Sequence, residues 1–271
     1  ASTSCIGQVI WMGTVTGGDG INWTDANNWD KFGFQVVPTA MDDVMIPDGN
    51  TVQIDAAGQV AQFVFIEGTS TLNINMMGSL TIDGGGGSSP GIFLNGGGTL
   101  SITENASLTI LNTEFDGITI NNALATIINA GTITIGPNIG NDFGHGILAG
   151  TGDGGDPGSL NLTNQATGLI TASSSPNIEF TFLALLNPSI SSTIDNLGTI
   201  NVDMDNSGDD FFAAIGSNAH VINRANATIL ATNVAIDAFY FVDGSTFTNE
   251  SRGMITATNV GSDAFNFQDG S

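Results

Sequence analysis

The chain has 271 residues, 37 of them glycine, and sets 3 Lys plus Arg against 26 Asp plus Glu, a formal charge of −23. Only 11% of residues are charged and the mean hydropathy is +0.18, which describes a folding chain and not an acidic disordered tail. With Lys31, Arg224 and Arg252 as the only strong cations, one cysteine (Cys5), two histidines and no apolar run near the roughly 18 residues of a bilayer span, the composition excludes nucleic-acid binding, membrane insertion, an internal disulfide and most His- or Cys-based catalysis.

In chain order, residues 1–49 form a non-repeating lead-in and residues 50–271 a repetitive body. The lead-in holds all three tryptophans, in WMG (11–13) and WTDANNW (23–29), followed by PTAMDDVMIPDG (38–49). Exposed Trp rings would form a sugar-stacking platform. The alternative, favoured here, is an aromatic cap or docking segment over the open end of a solenoid.

The body then repeats. TLNINMMGSLTI (71–82) matches TLSITENASLTI (99–110), and related units recur at 125–135, 160–172, 192–202, 220–231 and 246–257. Residues 225–245 match 251–271 at an offset of 26, pairing Asn233 with Asn259, Asp237 with Asp263 and Phe239 with Phe265. The residues closing successive units are Ile82, Ile110, Ile135, Ala172, Val202, Ala231 and Ala257, with one widened gap that contains GTGDGGDPGS (150–159), a loop. Apolar residues alternate with Thr, as in Leu80-Thr81-Ile82, so the units are strands. Short strands at a period in the twenties predict an all-β fold, a β-solenoid of eight or nine stacked coils. A β-sandwich is the competing fold. The late aromatics Phe180, Phe182, Phe211, Phe212, Phe239, Phe241, Phe265 and Phe267 are expected in the core.

The lead-in spacing W-x-G, W-x-x-x-x-N-W and P-x-x-x-D-x-V-x-I-P-x-G resembles the N-terminal segment of large secreted surface proteins of Bacteroidota-type bacteria. The units Asn129-Ala130-Gly131-Thr132-Ile133 and Asn196-Leu197-Gly198-Thr199-Ile200 are similar to adhesin-type β-helix repeats. The resemblance implies a right-handed parallel β-helix, an extracellular or cell-surface location, and a structural or adhesive role.

Five patterns bear on chemistry. Asp116, Asp142, Glu179, Asp210, Asp237 and Asp263 recur about once per unit and predict an acidic column, in which each carboxylate caps its own turn or several share Ca²⁺. Asp203-Met204-Asp205-Asn206-Ser207-Gly208-Asp209-Asp210 starts like a calcium loop, with Ala214 where an EF-hand has Glu. The candidate Ca²⁺ ligands are therefore Asp203, Asp205, Ser207, Asp209, Asp210, Asp237 and Asp263. Asn129, Asn164, Asn196, Asn223 and Asn249 predict an amide ladder. Thr81, Thr109, Thr134, Thr171 and Thr256 form an outward row of the kind that suggests ice binding, broken by Asn201 and Leu230. Gly144-His145-Gly146 and Gly208-Asp209-Asp210 resemble fragments of β-helical polygalacturonase motifs, in reversed order and with no Arg-x-Lys following.

These readings favour a non-enzymatic extracellular structural or adhesive protein. The repeat at 251–271 ends without a polar cap, which has two readings: the natural chain continues past Ser271, or the next subunit docks there in a head-to-tail filament, stiffened by Ca²⁺. A glycan-binding adhesin module is the alternative, and a carboxylate glycoside hydrolase the third reading.

Overall fold

A computed structural model describes residues 7–85, 89–139, 143–150, 158–174, 179–186, 191–204, 211–215, 219–242 and 244–268, without the side chains of 143, 179, 180 and 212–215. Period-two alternation becomes strands with one buried face. In Ser79–Asp83, Ser107–Leu111 and Thr132–Ile135 the residues Leu80, Ile82, Leu108, Ile110, Ile133 and Ile135 are buried, while the intervening threonines face outward.

The strands form three sheets, of 11, 8 and 8 strands. The first runs from Trp29–Asp30 through Gln8–Trp11, Asp43–Ile46, Phe63–Glu67 and onward to Asn266–Phe267. The second runs from Thr51–Ile54 to Thr246–Asn249, and the third from Gln59–Ala61 to Met254–Thr258. From Asp43 onward, consecutive strands visit the first, second and third sheets in turn, completing eight circuits among the described residues. Each strand pairs in parallel with its counterpart one circuit away. Among the described residues, the one antiparallel pairing between strands joins Gln8–Trp11 to Trp29–Asp30. An all-β stack of parallel strands is what the repeat predicts, and it is compatible with a β-helix. Gln8–Trp11 and Asp43–Ile46, both before residue 50, continue the first sheet, since Val9 pairs with Val44 and Val44 with Val64.

Parallel pairing in register places each residue on its counterpart about 4.8 Å away. Rows of like residues result. One row in the second sheet reads Ile54, Ile74, Ile102, Asn129, Asn164, Asn196, Asn223, Asn249. The asparagines form the expected ladder. Each side-chain amide, from Asn129 to Asn223, donates to the amide oxygen of the next rung at 2.8 Å. The same amides also donate to the main-chain carbonyls of Leu169, Thr199, Thr228 and Met254. Asn129, Asn164, Asn196 and Asn223 are all 0% exposed, so these bonds operate where water cannot replace them. The ladder also explains a glycine. A Cβ on Gly168 would run into the Asn164 amide oxygen and the Asn129 carbonyl.

The aromatic row is core, as expected, for Phe182, Phe211, Phe239 and Phe241, each 0% exposed. Phe182 stacks on Phe211 at 5.5 Å, and Phe239 on Phe265 at 4.7 Å. Phe265 and Phe267, in the last circuit, are half-exposed. Phe180 and Phe212 lie outside the described side chains. The outward row of the third sheet reads Thr81, Thr109, Thr134, Thr171, Asn201, Leu230, Thr256, in the register and with the interruptions seen in sequence.

The ladder predicts a position-dependent cost. Asn196→Ala strands the Asn164 donor and the Asn223 acceptor inside the core, and should destabilise by about 3 kcal/mol, summing two orphaned groups. Asn249→Ala, at the exposed last rung, should cost less than about 1 kcal/mol. Urea-unfolding midpoints of the two variants check this; equal midpoints would remove the ladder as a source of stability.

Candidate functional site

Among the described residues, the lead-in builds a dense side-chain network. Asp25 accepts the Asn27 main-chain N–H at 3.0 Å and opens the short turn Ala26–Asn28. That turn points the Asn28 side chain inward. Its amide donates to Asp19 at 2.7 Å and to the Asn22 carbonyl at 2.8 Å, and its oxygen accepts from the Gly20 N–H at 2.8 Å. The Asp19 carboxylate accepts from the Asn22 N–H, the Asn28 amide, the Ile21 N–H and the Asn22 amide, and these bonds hold it far below the usual carboxylate range. Every polar residue of WTDANNW except Thr24 thus has a local partner.

The three indoles meet over this turn. Trp11 and Trp23 both sit edge-on to Trp29, at 4.7 and 4.8 Å, and Trp29 Nε1 donates to the Trp23 carbonyl at 2.7 Å. All three are at most 2% exposed. A sugar platform needs an open ring face, which these rings do not have. They cover the first circuit instead. The Gln53 N–H donates to the Ile21 carbonyl and the Trp23 N–H to the Gln53 carbonyl, both at 2.8 Å, so the segment closes the edge of Thr51–Ile54.

The sole lysine belongs to this cap. Lys31 Nζ makes a short ion pair with Asp42, whose other oxygen accepts the Thr39 N–H and hydroxyl at 2.8 and 2.7 Å. Burial pushes the Asp42 carboxyl up, but the bonds from Lys31 and Thr39 outweigh it and hold the group below its ordinary 3.8. Asp43 moves the opposite way, pushed up by burial and then by the charge on Asp42.

Sequence reasoning missed a second ion cluster. Arg224 grips Asp195 with Nε and Nη2 at 2.6 and 3.0 Å, and donates through Nη1 to Glu250 at 2.8 Å, tying three successive circuits together. The signal was available, since Asp195, Arg224 and Glu250 each lie within one residue of a ladder asparagine. It also missed the corner amides: Asn112 donates to Asp83 and Asn138 to Asn112, and, later, Asn233 donates to Asp203 and Asn259 to Asn233. All four asparagines have positive φ, a conformation that Asn tolerates.

The acidic column is corrected in its middle. His145 pairs with Thr181, while Glu179 pairs with Phe143, two residues earlier in the strand. The position that follows Asp116 along the axis belongs to His145, because Ile118 pairs with Ile147. The strands Phe143–Gly150 and Glu179–Leu186 are eight residues long and begin early, which sets Glu179 two residues ahead of the row. Where the column is described, the carboxylates receive donors from the next circuit. Asp116 accepts the His145 N–H at 3.0 Å and lies 2.8 Å from His145 Nδ1, and Thr119 donates to its other oxygen at 2.8 Å. Asp237 accepts the Asp263 N–H at 3.0 Å and the Asn266 amide at 2.7 Å.

Of the candidate Ca²⁺ ligands, Asp237 and Asp263 are stacked neighbours, and Asp203 lies at the end of Thr199–Asp203, bound to the Asn233 amide at 2.8 Å. Asp205, Ser207, Asp209 and Asp210 lie outside the described residues, as does Asp142. Among the described residues no three His, Cys, Asp or Glu side chains come together as a metal-holding group. No described helix is long and apolar enough to cross a membrane. No family model, no curated protein and no solved structure matches this chain.

All three tryptophans lie within residues 11–29, so their emission reports the N-terminal end of the stack, Gln8–Trp11 and Trp29–Asp30 included, and not the later circuits. A carboxyl whose pKa falls on folding stabilises the fold above its unfolded pKa, and that contribution is lost as pH drops through the folded value. Asp19 and Asp42 act in this sense and Asp43 against it. Acid titration below about pH 3.8 should therefore shift tryptophan emission before the far-ultraviolet strand signal changes. Lys31→Met leaves Asp42 buried without its cation, should cost about 2–3 kcal/mol and should move the emission change to higher pH. Coincident transitions in both proteins would show that the cap has no separate stability.

Proposed function

We propose that the chain is a non-catalytic structural element of an extracellular surface, a right-handed parallel β-helix that carries load along its axis. The observation that supports this most is the amide ladder from Asn129 to Asn249, buried through Asn223, which adds side-chain hydrogen bonds along the direction of the main-chain bonds. The phenylalanine stacks and the Arg224 clamp lie along the same direction. Such a body does not depend on a cofactor. Its charge of −23 favours a solvated, non-associating outer surface.

Force spectroscopy on a molecule tethered at both ends tests the reading. Circuits should release one at a time, each adding about 90 Å for roughly 26 residues of extended chain, and Asn196→Ala should lower the force for the central steps. Smooth extension at low force would sink the proposal.

The glycan-adhesin reading moves from the buried tryptophans to the outer face of the first sheet. There Ile10, Met45, Phe65 and Phe93 share one outward row, with Phe65 and Phe93 stacked at 5.4 Å and 7°. Binding on a glycan array that disappears in Phe65→Ala/Phe93→Ala would favour it over the load-bearing role.

Calcium binding attaches, in this reading, to the Asp203–Asp210 loop, because Asp237 already receives donors on both oxygens. Millimolar calcium should raise the melting midpoint of the parent chain and leave that of Asp205→Asn/Asp209→Asn unchanged; equal behaviour removes the site.

A further inference from the structure

The outward threonine row of the third sheet has a companion. In Ser79–Asp83, Ser107–Leu111 and Thr132–Ile135 a second hydroxyl faces outward two residues earlier, so three successive circuits present Ser79 with Thr81, Ser107 with Thr109, and Thr132 with Thr134. Between the two columns lie Leu80, Leu108 and Ile133, all buried, so the half-buried hydroxyl residues stand on a packed core. Thr171 carries the second column one circuit further, and Leu169, Asn201 and Leu230 interrupt the columns beyond. The patch belongs to the interior of the stack, with paired strands on both sides of it.

The backbone sets the spacing of this grid. Neighbouring hydroxyl positions lie about 4.8 Å apart along the stack axis and about 6.6 Å apart along each strand. Water hydrogen-bonded tetrahedrally at about 2.75 Å has second-neighbour oxygens about 4.5 Å apart, and ice repeats across its layers at eight-thirds of the bond length, about 7.3 Å. The two grids therefore agree to within about a tenth in both directions. Threonine is stiff at χ1, so its hydroxyl and methyl keep their places before any contact forms. The Thr171 hydroxyl donates to the Thr134 hydroxyl at 3.2 Å, which couples neighbouring rungs.

Charge agrees with spacing. The chain carries −23, yet the six paired positions and Thr171 are all uncharged. Asp83, two residues beyond Thr81, is held by the Asn112 amide at 3.0 Å at the corner of the circuit. A frozen water surface has no net charge, and a carboxylate pressed against it would give up its own hydration without an ionic partner. The second sheet offers a contrast. Thr71, Thr99 and Thr126 also form an outward row there, but two residues further along each strand stand Asn73, Ser101 and Ile128, so no second hydroxyl column exists.

We propose that the hydroxyl face of the third sheet binds ice. Each hydroxyl occupies the place of a lattice oxygen and exchanges hydrogen bonds with its frozen neighbours, and the threonine methyls fill the spaces between water positions. Ice binding neither requires nor follows from the load-bearing role, since one concerns the outer face of a sheet and the other the bonds between circuits.

Slow growth of ice through a dilute solution of the 271-residue chain reads the outcome as the fraction of protein taken into the solid. The parent chain should enter the ice, where a non-binding protein is left in the liquid. Thr109→Lys, at the centre of the patch, should return the chain to the excluded level with unchanged circular dichroism, and Thr134→Lys, one circuit on, should do the same. Thr99→Lys, in the same circuit as Thr109 but on the second sheet, should still enter the ice. Exclusion of the parent chain, uptake that survives both Thr109→Lys and Thr134→Lys, or equal loss in Thr99→Lys would each overturn the proposal.

Discussion

Main-chain hydrogen bonds that run along one axis impose the constraint on which everything else here depends. They place each side chain on its counterpart one circuit away, at about 4.8 Å. At that spacing like must tolerate like. Isoleucine, phenylalanine, asparagine and threonine do, because apolar contact, ring stacking and amide donation all work between identical partners. Carboxylates do not, since two adjacent charges repel by on the order of 1 kcal/mol even near water. The chain carries 26 acids against three bases, so its acids have to be placed where donors reach them. Asp116 and Asp237 sit where the following circuit turns N–H groups toward them, and Asp83 and Asp203 sit where a corner asparagine does.

The scarce cations follow the same logic. Lys31 balances the buried Asp42, and Arg224 answers Asp195 and Glu250 on either side of its own circuit. A guanidinium suits this position because its planar fork offers donors in two directions, one bidentate toward Asp195 and one toward Glu250. Arg252 is exposed and makes no ion pair among the described residues.

What the sequence makes legible is whatever registry repeats. The Ile82–Ile110–Ile135 spacing, the asparagine row and the broken threonine row all appear in the structure at the positions their offsets imply. Contacts that registry does not duplicate were hidden. Arg224 occurs in one circuit only, so no offset announces it. The acidic column went wrong at Glu179 because its strand begins early, and counting between acids cannot detect a strand that lengthens upstream of its repeat. The tryptophans were legible as one group by their number and position, and they pack together in the structure. The particular work of Asn28, which is buried and bonded on three sides, was not, since nothing in WTDANNW distinguishes it from Asn27 before the chain is folded.

The ladder begins abruptly. The Asn129 oxygen is buried and has no hydrogen-bond partner, because the residue above it in the row is Ile102. The stack is therefore spliced from two kinds of interior: three circuits with isoleucine at this position, then five with an amide. The amides all point the same way, so a duplicated asparagine circuit inserted below Asn129 meets a donor above and an acceptor below. The same circuit placed between Ile74 and Ile102 would bury an amide with neither. Lengthening by duplication is thus permitted on one side of a sharp internal boundary and penalised on the other, and the near-identical final units, 225–245 and 251–271, lie on the permitted side.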